Sequence, residues 1–386
     1  MNHKFIAKRY QNIEPTAMGS SGDIALQYPN LVNFSLGDPD LTTPKEIIEK
    51  AFEDAKDGHT HYTHFAGDPE LIDEIVSFQK EEYDLDLSRE NIFVTTSACH
   101  GMWLVLEALL NEGDEVIIPE PYFTPYPSQV KMCGGKAVFL PTYEENEFQI
   151  DIEDLKKVVG PNTKALIVNT PNNPTGACLS LDKMLEIGRL AKKEDFLIIA
   201  DDIYTSFSYE EDFKPIASLE DFFSQVITLR SFSKNFAMTG WRLGYIIAEP
   251  AYLNVIREIN ENNVFTAPSI SQRAGLHALR MRKEVQGPIV EEFKKRTFHA
   301  YKRIKGLKNV SILEPKGTFY LFMNIKETGL SSEEVADLLV KEAQVLPIPG
   351  DAFGQSGQGY IRLAVTIGVE EIDQAFDRME KMEVFR

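Results

Sequence analysis

With 386 residues, 43% hydrophobic and 26% charged, the chain has the composition of a globular protein that can bury a core, and its length predicts one large and one smaller domain. Its 40 basic against 59 acidic residues give a net charge of −19, a field that repels phosphate backbones and excludes nucleic acid as a partner. No apolar run approaches the ~20 residues needed to span a bilayer and Met1–Tyr10 lacks the apolar core of a secretion signal, so a cytoplasmic protein without membrane contact is expected.

Metal chemistry finds no support in the pattern. Cys99, Cys133 and Cys178 show no CxxC spacing and form neither a disulfide framework nor a zinc set. The seven histidines contain no HExxH; His59, His61 and His64 cluster in a polar stretch without a cysteine or second carboxylate at ligand spacing. No metal is expected.

Along the chain, Thr43-Pro44-Lys45-Glu46 reads as a capping box with proline at the first helical position. Seven short apolar runs then predict strands: Ile92–Thr95, Glu115–Ile118, Ala137–Leu140, Ala165–Val168, Leu197–Ala200, Val226–Leu229 and Leu243–Ile247. Most are continuous apolar runs, the pattern of strands buried on both faces. Helical patterns lie between them, among them His100–Leu110 and one opened by Ser180-Leu181-Asp182 that runs toward Glu194.

After about residue 275 helices mix with strands such as Phe319–Met323 and Tyr360–Val365. The expectation is an α/β fold. A large domain, residues 44–275, holds a mainly parallel seven-stranded sheet sandwiched by helices. A smaller α+β domain is made of residues 1–43 with 276–386. Neither GxGxxG nor GxxxxGK[ST] occurs, so a nucleotide fold has no motif; Gly350, Gly354, Gly357 and Gly359 read as a flexible loop.

The unusual residues stand at the carboxyl ends of these strands, where open α/β sheets bind ligands. Thr96-Ser97-Ala98-Cys99 follows the first strand, Asn172-Asn173-Pro174-Thr175-Gly176 the fourth, and Asp201 ends the fifth. Ser231 and Lys234 follow the sixth, in Ser231-Phe232-Ser233-Lys234-Asn235-Phe236-Ala237-Met238-Thr239-Gly240-Trp241-Arg242. Each alone has an ordinary reading as a turn, a helix cap or a surface lysine. Four segments converging on one edge do not. A lysine among hydroxyls can form an imine with an aldehyde, and nearby hydroxyls and an arginine can hold a phosphate.

In this combination the chain, from about Phe34 to Val365, resembles the fold-type I pyridoxal 5'-phosphate (PLP) enzymes, specifically the class I/II aminotransferases of the aspartate/aromatic type. The resemblance implies that Lys234 forms the Schiff base with PLP and afterwards shuttles the proton between the substrate α-carbon and the cofactor. Asp201, in Asp201-Asp202-Ile203-Tyr204, matches the carboxylate that keeps the pyridine nitrogen protonated. Tyr204 and Asn173 resemble the pair that hydrogen-bonds the ring's phenolic oxygen, and Phe123, in Pro121-Tyr122-Phe123, the aromatic stacked on the ring.

The same resemblance implies that phosphate binding would come from the backbone amides of Ala98 and Cys99, from Ser231 and from Arg242. Ser97 stands where the family usually has glycine, and a serine can still cap the helix. Cys99 itself reads as a packing residue. Arg362, in an alternating strand pattern, matches the arginine for the substrate α-carboxylate, and Gly37 the glycine whose backbone meets the same group. Tyr62 matches a tyrosine that reaches the neighbouring subunit's phosphate, which implies a homodimer with shared active sites.

The activity so implied is transamination between an L-amino acid and a 2-oxo acid by a ping-pong mechanism. A carbon–sulfur β-lyase of the cystathionine type is the alternative with the same cofactor; such relatives tend to carry histidine where this chain has Tyr204. A catalytically silent binding protein is a third reading, and the retained Lys234 stands against it. Some relatives fuse this fold to a DNA-binding domain, but residues 1–33 are too short for one. Aspartate-preferring relatives of one subgroup carry a second arginine between roughly Glu258 and Gln272. None occurs in Asn260–Gln272 here, which leans toward aromatic or other apolar donors while aspartate and glutamate remain open.

Overall fold

The computed structural model describes residues 4–7, 10, 17–28, 30–210 and 213–386, so residues 1–3, 8–9, 11–16 and 29 of the expected 1–43 segment lie outside the described residues. Twelve strands occur among the described residues. They are β1 (Val32–Asn33), β2 (Ile92–Thr95), β3 (Glu115–Glu120), β4 (Lys136–Pro141), β5 (Thr163–Asn169), β6 (Leu197–Asp201), β7 (Val226–Ser231), β8 (Gly244–Ile247), β9 (Tyr320–Asn324), β10 (Val345–Leu346), β11 (Ile348–Pro349) and β12 (Tyr360–Ala364).

Seven of them form one sheet in the order β2-β8-β7-β6-β5-β3-β4. Only β8 runs against its neighbours; the remaining pairs are parallel. These are the seven expected strands, and the α/β class with a mainly parallel sheet holds. Their continuous apolar runs are explained by burial on both faces. In β5, Ala165 and Ile167 join one core cluster while Leu166 and Val168 join another, and Ile199 in β6 is likewise separated from Ile198 and Ala200. The helix Ala98–Leu109 packs on the first face and Leu181–Glu194 on the second. This two-residue period has a consequence for chemistry: it puts Asp201 on the face of Ile199, and Ser231 on that of Leu229 and Ile227.

A separate core is built from Val32, Phe34 and residues between Ala300 and Phe385, around the antiparallel sheet β11-β12-β9 and the short parallel pair β1 with β10. The helix Arg282–Ile304 and the helix Val369–Met379 both contribute to it.

Two local readings need correction. Thr43 does not cap the helix Lys45–Lys56, whose first turn has no side-chain cap. Its hydroxyl instead donates to the Ala237 carbonyl at 2.6 Å and accepts from Trp241 Nε1 at 3.0 Å, so it fastens the segment after Lys234. The glycine-rich run near residue 350, expected as a loose loop, forms the 3-10 turns Gly350–Phe353 and Gln355–Gly357. Its backbone is packed tightly: a Cβ on Gly350 would lie 2.0 Å from the Gly357 carbonyl oxygen.

One ion network ties the loop before helix Pro69–Tyr83 to the rest. Arg273, 6% exposed, reaches Asp54 at 2.6 Å, Asp68 at 3.2 Å and Glu70 at 3.0 Å. Three carboxylates around one buried guanidinium compensate its lost hydration. Beside it the buried amide of Gln272 accepts from the Asp68 amide at 2.6 Å and donates to Thr63 Oγ1 at 3.0 Å and the Ala267 carbonyl at 2.8 Å. No helix among the described residues is long and apolar enough to cross a membrane, and no cluster of metal-ligating side chains occurs among them.

Candidate active site

Beyond the carboxyl ends of the parallel strands lies a cavity of about 450 Å³, large enough for a small cofactor together with an amino acid. Its walls come from both cores: Ser97, Ala98 and Cys99 follow β2, Asp201 ends β6, Ser231 ends β7 and Lys234 follows it, while Gly37, Tyr320 and Arg362 come from the other side. Phe123, Asn173, Tyr204 and Arg242 complete the set. Eleven of the twelve residues singled out from the sequence therefore meet in one cavity. Tyr62 does not: it is 80% exposed and absent from these walls.

Lys234 is the central group. Its Nζ donates to the Gly37 carbonyl. Burial lowers the amine from the usual lysine value to about 8, with Asp38 opposing and the Arg242 and Arg362 cations adding to the depression. At pH 7 about a tenth of such an amine is unprotonated, against roughly one in three thousand for an ordinary lysine. That difference separates a usable nucleophile from a spectator.

Asp201 is buried, and its carboxyl is raised to about 6 by loss of hydration, with a hydrogen bond from Tyr126 opposing. One oxygen is thereby satisfied. The other, Oδ1, is buried with no hydrogen-bond partner. A buried carboxylate oxygen left alone is costly, and a cationic N–H donor placed in the cavity would satisfy it.

Arg362, 1% exposed, is an unmatched charge of the opposite sign. It projects from β12 between the rings of Tyr320 and Phe353, 4.8 and 5.0 Å from its guanidinium carbon. It donates to the Ser35 carbonyl and, at 3.3 Å, to Asn173 Oδ1, while Nε has no partner. No carboxylate pairs with it among the described residues. A buried guanidinium without an anion fits a site for a carboxylate that arrives from outside.

The opposite end is suited to a dianion. Ser97 caps the helix Ala98–Leu109, accepting from the His100 amide at 3.2 Å, so the serine reading at this position holds. Its φ of +106° is a glycine-like conformation, so a non-glycine residue is held here in a strained turn that aims the helix start at the cavity. Arg242, also at positive φ, is exposed with one hydrogen bond, to the Thr239 carbonyl at 2.9 Å. Cys99 lies on the same wall, but desolvation and the nearby Asp201 raise its thiol pKa, which leaves it a poor nucleophile.

Two tyrosines escape sequence reasoning. Tyr126 stands three residues after Phe123, in the first turn of the helix Pro125–Met132, and is edge-on to it at 5.5 Å. Helical spacing is a usable signal for it; the contact with Asp201, 75 residues away, is not legible. Tyr320, in β9, meets the Tyr204 hydroxyl at 3.0 Å. Its own hydroxyl fills the space beside Gly37, where a Cβ would lie 1.8 Å from it. Only glycine fits there.

The aminotransferase class I and II family model matches residues 29–379. Over 382 residues the chain is 37% identical to the aromatic-amino-acid aminotransferase 2 of Thermococcus litoralis, covering 98% of each chain. It is 38% identical over 381 residues to an aspartate aminotransferase of Pyrococcus horikoshii, covering 98% of this chain and 97% of the other. The solved structure of the Thermus thermophilus aspartate aminotransferase with maleate superposes with a TM-score of 0.93 at 29% identity, over 98% of this chain and all of that one. With the matching cleft, these comparisons establish that the chain belongs to the class I and II aminotransferases, a PLP-dependent transferase family.

Proposed function

We propose that this chain transfers the amino group of an L-amino acid to a 2-oxo acid with PLP held in the described cavity, by ping-pong kinetics. The observation that carries the reading is the trio of Lys234, Asp201 and Arg362 in one cleft: a lysine with a depressed pKa, a buried carboxylate with a free oxygen and a buried guanidinium with no anion. When bound, PLP supplies an aldehyde that condenses with amines and a cationic ring that accepts the electron pair released at the substrate α-carbon.

The chain's own groups do the rest. Lys234 Nζ is the amine that would join the aldehyde, and the same amine would carry the proton taken from the substrate α-carbon. Asp201 Oδ1 would accept from the ring N–H, and Asn173 and Tyr204 would donate to the ring hydroxyl. Phe123 would cover the ring face. The amides of Ala98 and Cys99, with Ser231 and Arg242, would hold the phosphate. Arg362 and the backbone at Gly37 would orient the α-carboxylate.

Tyr62, solvent-exposed on its own chain, would complete the phosphate site of a second copy, making the working unit a homodimer. The division into a large domain, 44–275, and a smaller one, 1–43 with 276–386, belongs to this proposal and is supported by the separate cores on the two sides of the cleft. A cytoplasmic location belongs to it also, on the compositional grounds given above.

The assay is a panel of twenty amino acids with 2-oxoglutarate as acceptor. Glutamate is expected to form, with parallel double-reciprocal plots. Pyruvate and thiol from cystathionine without any acceptor would instead indicate the β-lyase, which the aspartate and aromatic relatives do not favour.

The depressed amine pKa gives a second expectation. Only the unprotonated amine attacks an aldehyde, so the rate at which the apo chain captures PLP is expected to rise about tenfold per pH unit below 8 and level off above it. Stopped-flow absorbance between pH 6 and 9.5 reads this directly. A rate still climbing at pH 9.5 would mean that Lys234 titrates as an ordinary surface lysine.

A further inference from the structure

Tyr204 and Arg362, assigned to the cofactor ring and to the substrate carboxylate, meet on one side chain that has no task in the chemistry so far. Tyr320, 2% exposed, pairs across the β9–β12 ladder with Ala364, and its neighbour on the same face, Phe322, pairs with Arg362. Residues in this diagonal relation are within reach of each other when their side chains are long. The Arg362 guanidinium accordingly stacks over the Tyr320 ring, its carbon 4.8 Å from the ring centre, while the Tyr320 hydroxyl stands 3.0 Å from that of Tyr204.

Tyr320 is itself held by backbone and side chain. Its amide donates to Thr318 Oγ1 at 3.1 Å. Its carbonyl oxygen packs against Gly176, where a Cβ would lie 2.9 Å away, and Gly176 belongs to the loop that carries Asn173. The hydroxyl abuts Gly37, whose carbonyl accepts from Lys234. The ring stands edge-on to Tyr204 at 5.6 Å and tilted to Phe319 at 5.0 Å.

The direction of the hydroxyl–hydroxyl bond matters. Both phenols sit in one apolar cluster with Phe207, Phe293 and Phe319, and burial raises the pKa of each above the usual tyrosine value. Each therefore carries a single proton at neutral pH, and one donates to the other. A Tyr204 that donated to Tyr320 would have no proton left for the ring oxygen. With Tyr320 as donor, Tyr204 accepts and keeps its own proton for the cavity. Hydrogen bonds in such a chain polarise one another, which strengthens the bond Tyr204 makes onward.

We propose that Tyr320 is a positioning residue for two groups at once: its hydroxyl turns the Tyr204 proton toward the ring oxygen, and its ring face holds the Arg362 guanidinium in line for the α-carboxylate. This rests on the roles given above to Tyr204 and Arg362.

The test uses two variants of the PLP-loaded enzyme. Tyr320→Phe removes the hydroxyl and keeps the ring; Tyr320→Leu removes both. Donors to the ring oxygen favour its ionised form, so they lower the pH at which the visible band of the loaded enzyme titrates. In Tyr320→Phe that spectral midpoint is expected to rise by roughly 0.5–1 pH unit, with calorimetric binding of maleate at the wild-type value. In Tyr320→Leu the midpoint is expected to rise as far and maleate binding to weaken roughly tenfold. A packing role alone would lower the thermal stability of both variants and leave the spectral midpoint of Tyr320→Phe at the wild-type pH, which overturns the role of the hydroxyl. Undiminished maleate binding in Tyr320→Leu overturns the role of the ring.

Tyr204→Phe supplies the control background. If Tyr320 acts through Tyr204, adding Tyr320→Phe leaves the spectral midpoint where Tyr204→Phe alone puts it. Two additive shifts would overturn action through Tyr204. The inference and the reading beneath it fail separately. A wild-type chain that gains no visible band with PLP, or a midpoint that Tyr204→Phe does not move, ends both. A midpoint that moves in Tyr204→Phe and stays in Tyr320→Phe overturns this inference alone.

Discussion

Replacing Lys234 by alanine is expected to lower transamination by roughly 10⁴-fold or more, because one amine serves as both nucleophile and proton carrier. The surrounding geometry gives no substitute. The other cations of the cavity, Arg242 and Arg362, are guanidiniums that do not deprotonate near neutral pH, and the Cys99 thiol is shifted toward its protonated form. The variant should still bind PLP, since the phosphate groups and Asp201 are untouched. It should lose the covalent adduct that borohydride fixes in the wild-type chain, which mass spectrometry detects at the peptide containing residue 234. A variant that retained both turnover and the adduct would place the reactive amine elsewhere. The fold should be unaffected, since the Nζ makes one hydrogen bond, to the Gly37 carbonyl.

Arg362→Leu is the second large effect. Truncating one member of a buried, hydrogen-bonded charge pair costs about 2–5 kcal/mol, which is roughly 30- to several-thousand-fold in kcat/KM. Donor and acceptor both carry the carboxylate that Arg362 would hold, so KM is expected to rise for both. Stability is expected to respond differently. In the apo chain this guanidinium is buried without an anion and with Nε unpartnered, so removing the charge relieves desolvation and offsets the hydrogen bonds lost to Ser35 and Asn173. The thermal midpoint of the apo variant should therefore fall by no more than a few degrees. If Arg362 were instead a structural strut, the midpoint would drop steeply while KM stayed near wild type.

The fold is legible where a single physical rule governs a segment. Strands β5, β6 and β7 sit between two helical layers, so their central positions are apolar without alternation, and the run lengths mark them with little ambiguity. Thr43 departs from its expected role because a capping box is a local pattern, whereas its hydroxyl is claimed by Ala237, 194 residues away. The glycines from Gly350 to Gly359 depart from theirs for a related reason: composition records flexibility of the free backbone, not the close approach of Gly357 to Gly350 that requires it.

Of the candidate site, Lys234, Asp201, Asn173 and Arg362 stand in motifs whose residue types identify the chemistry before any contact is known. The chain order alone determined that the first three lie at or just beyond strand ends, because a parallel sheet carries all its carboxyl termini to one edge. Only the folded structure decided how they are tuned. The amine near pH 8, the orphaned Asp201 oxygen, the Tyr126 bond and the Tyr320 ring beside Arg362 all arise from burial and from partners distant in sequence. Hydration loss depends on what surrounds a group from every direction, and a linear sequence specifies only the neighbours along the chain.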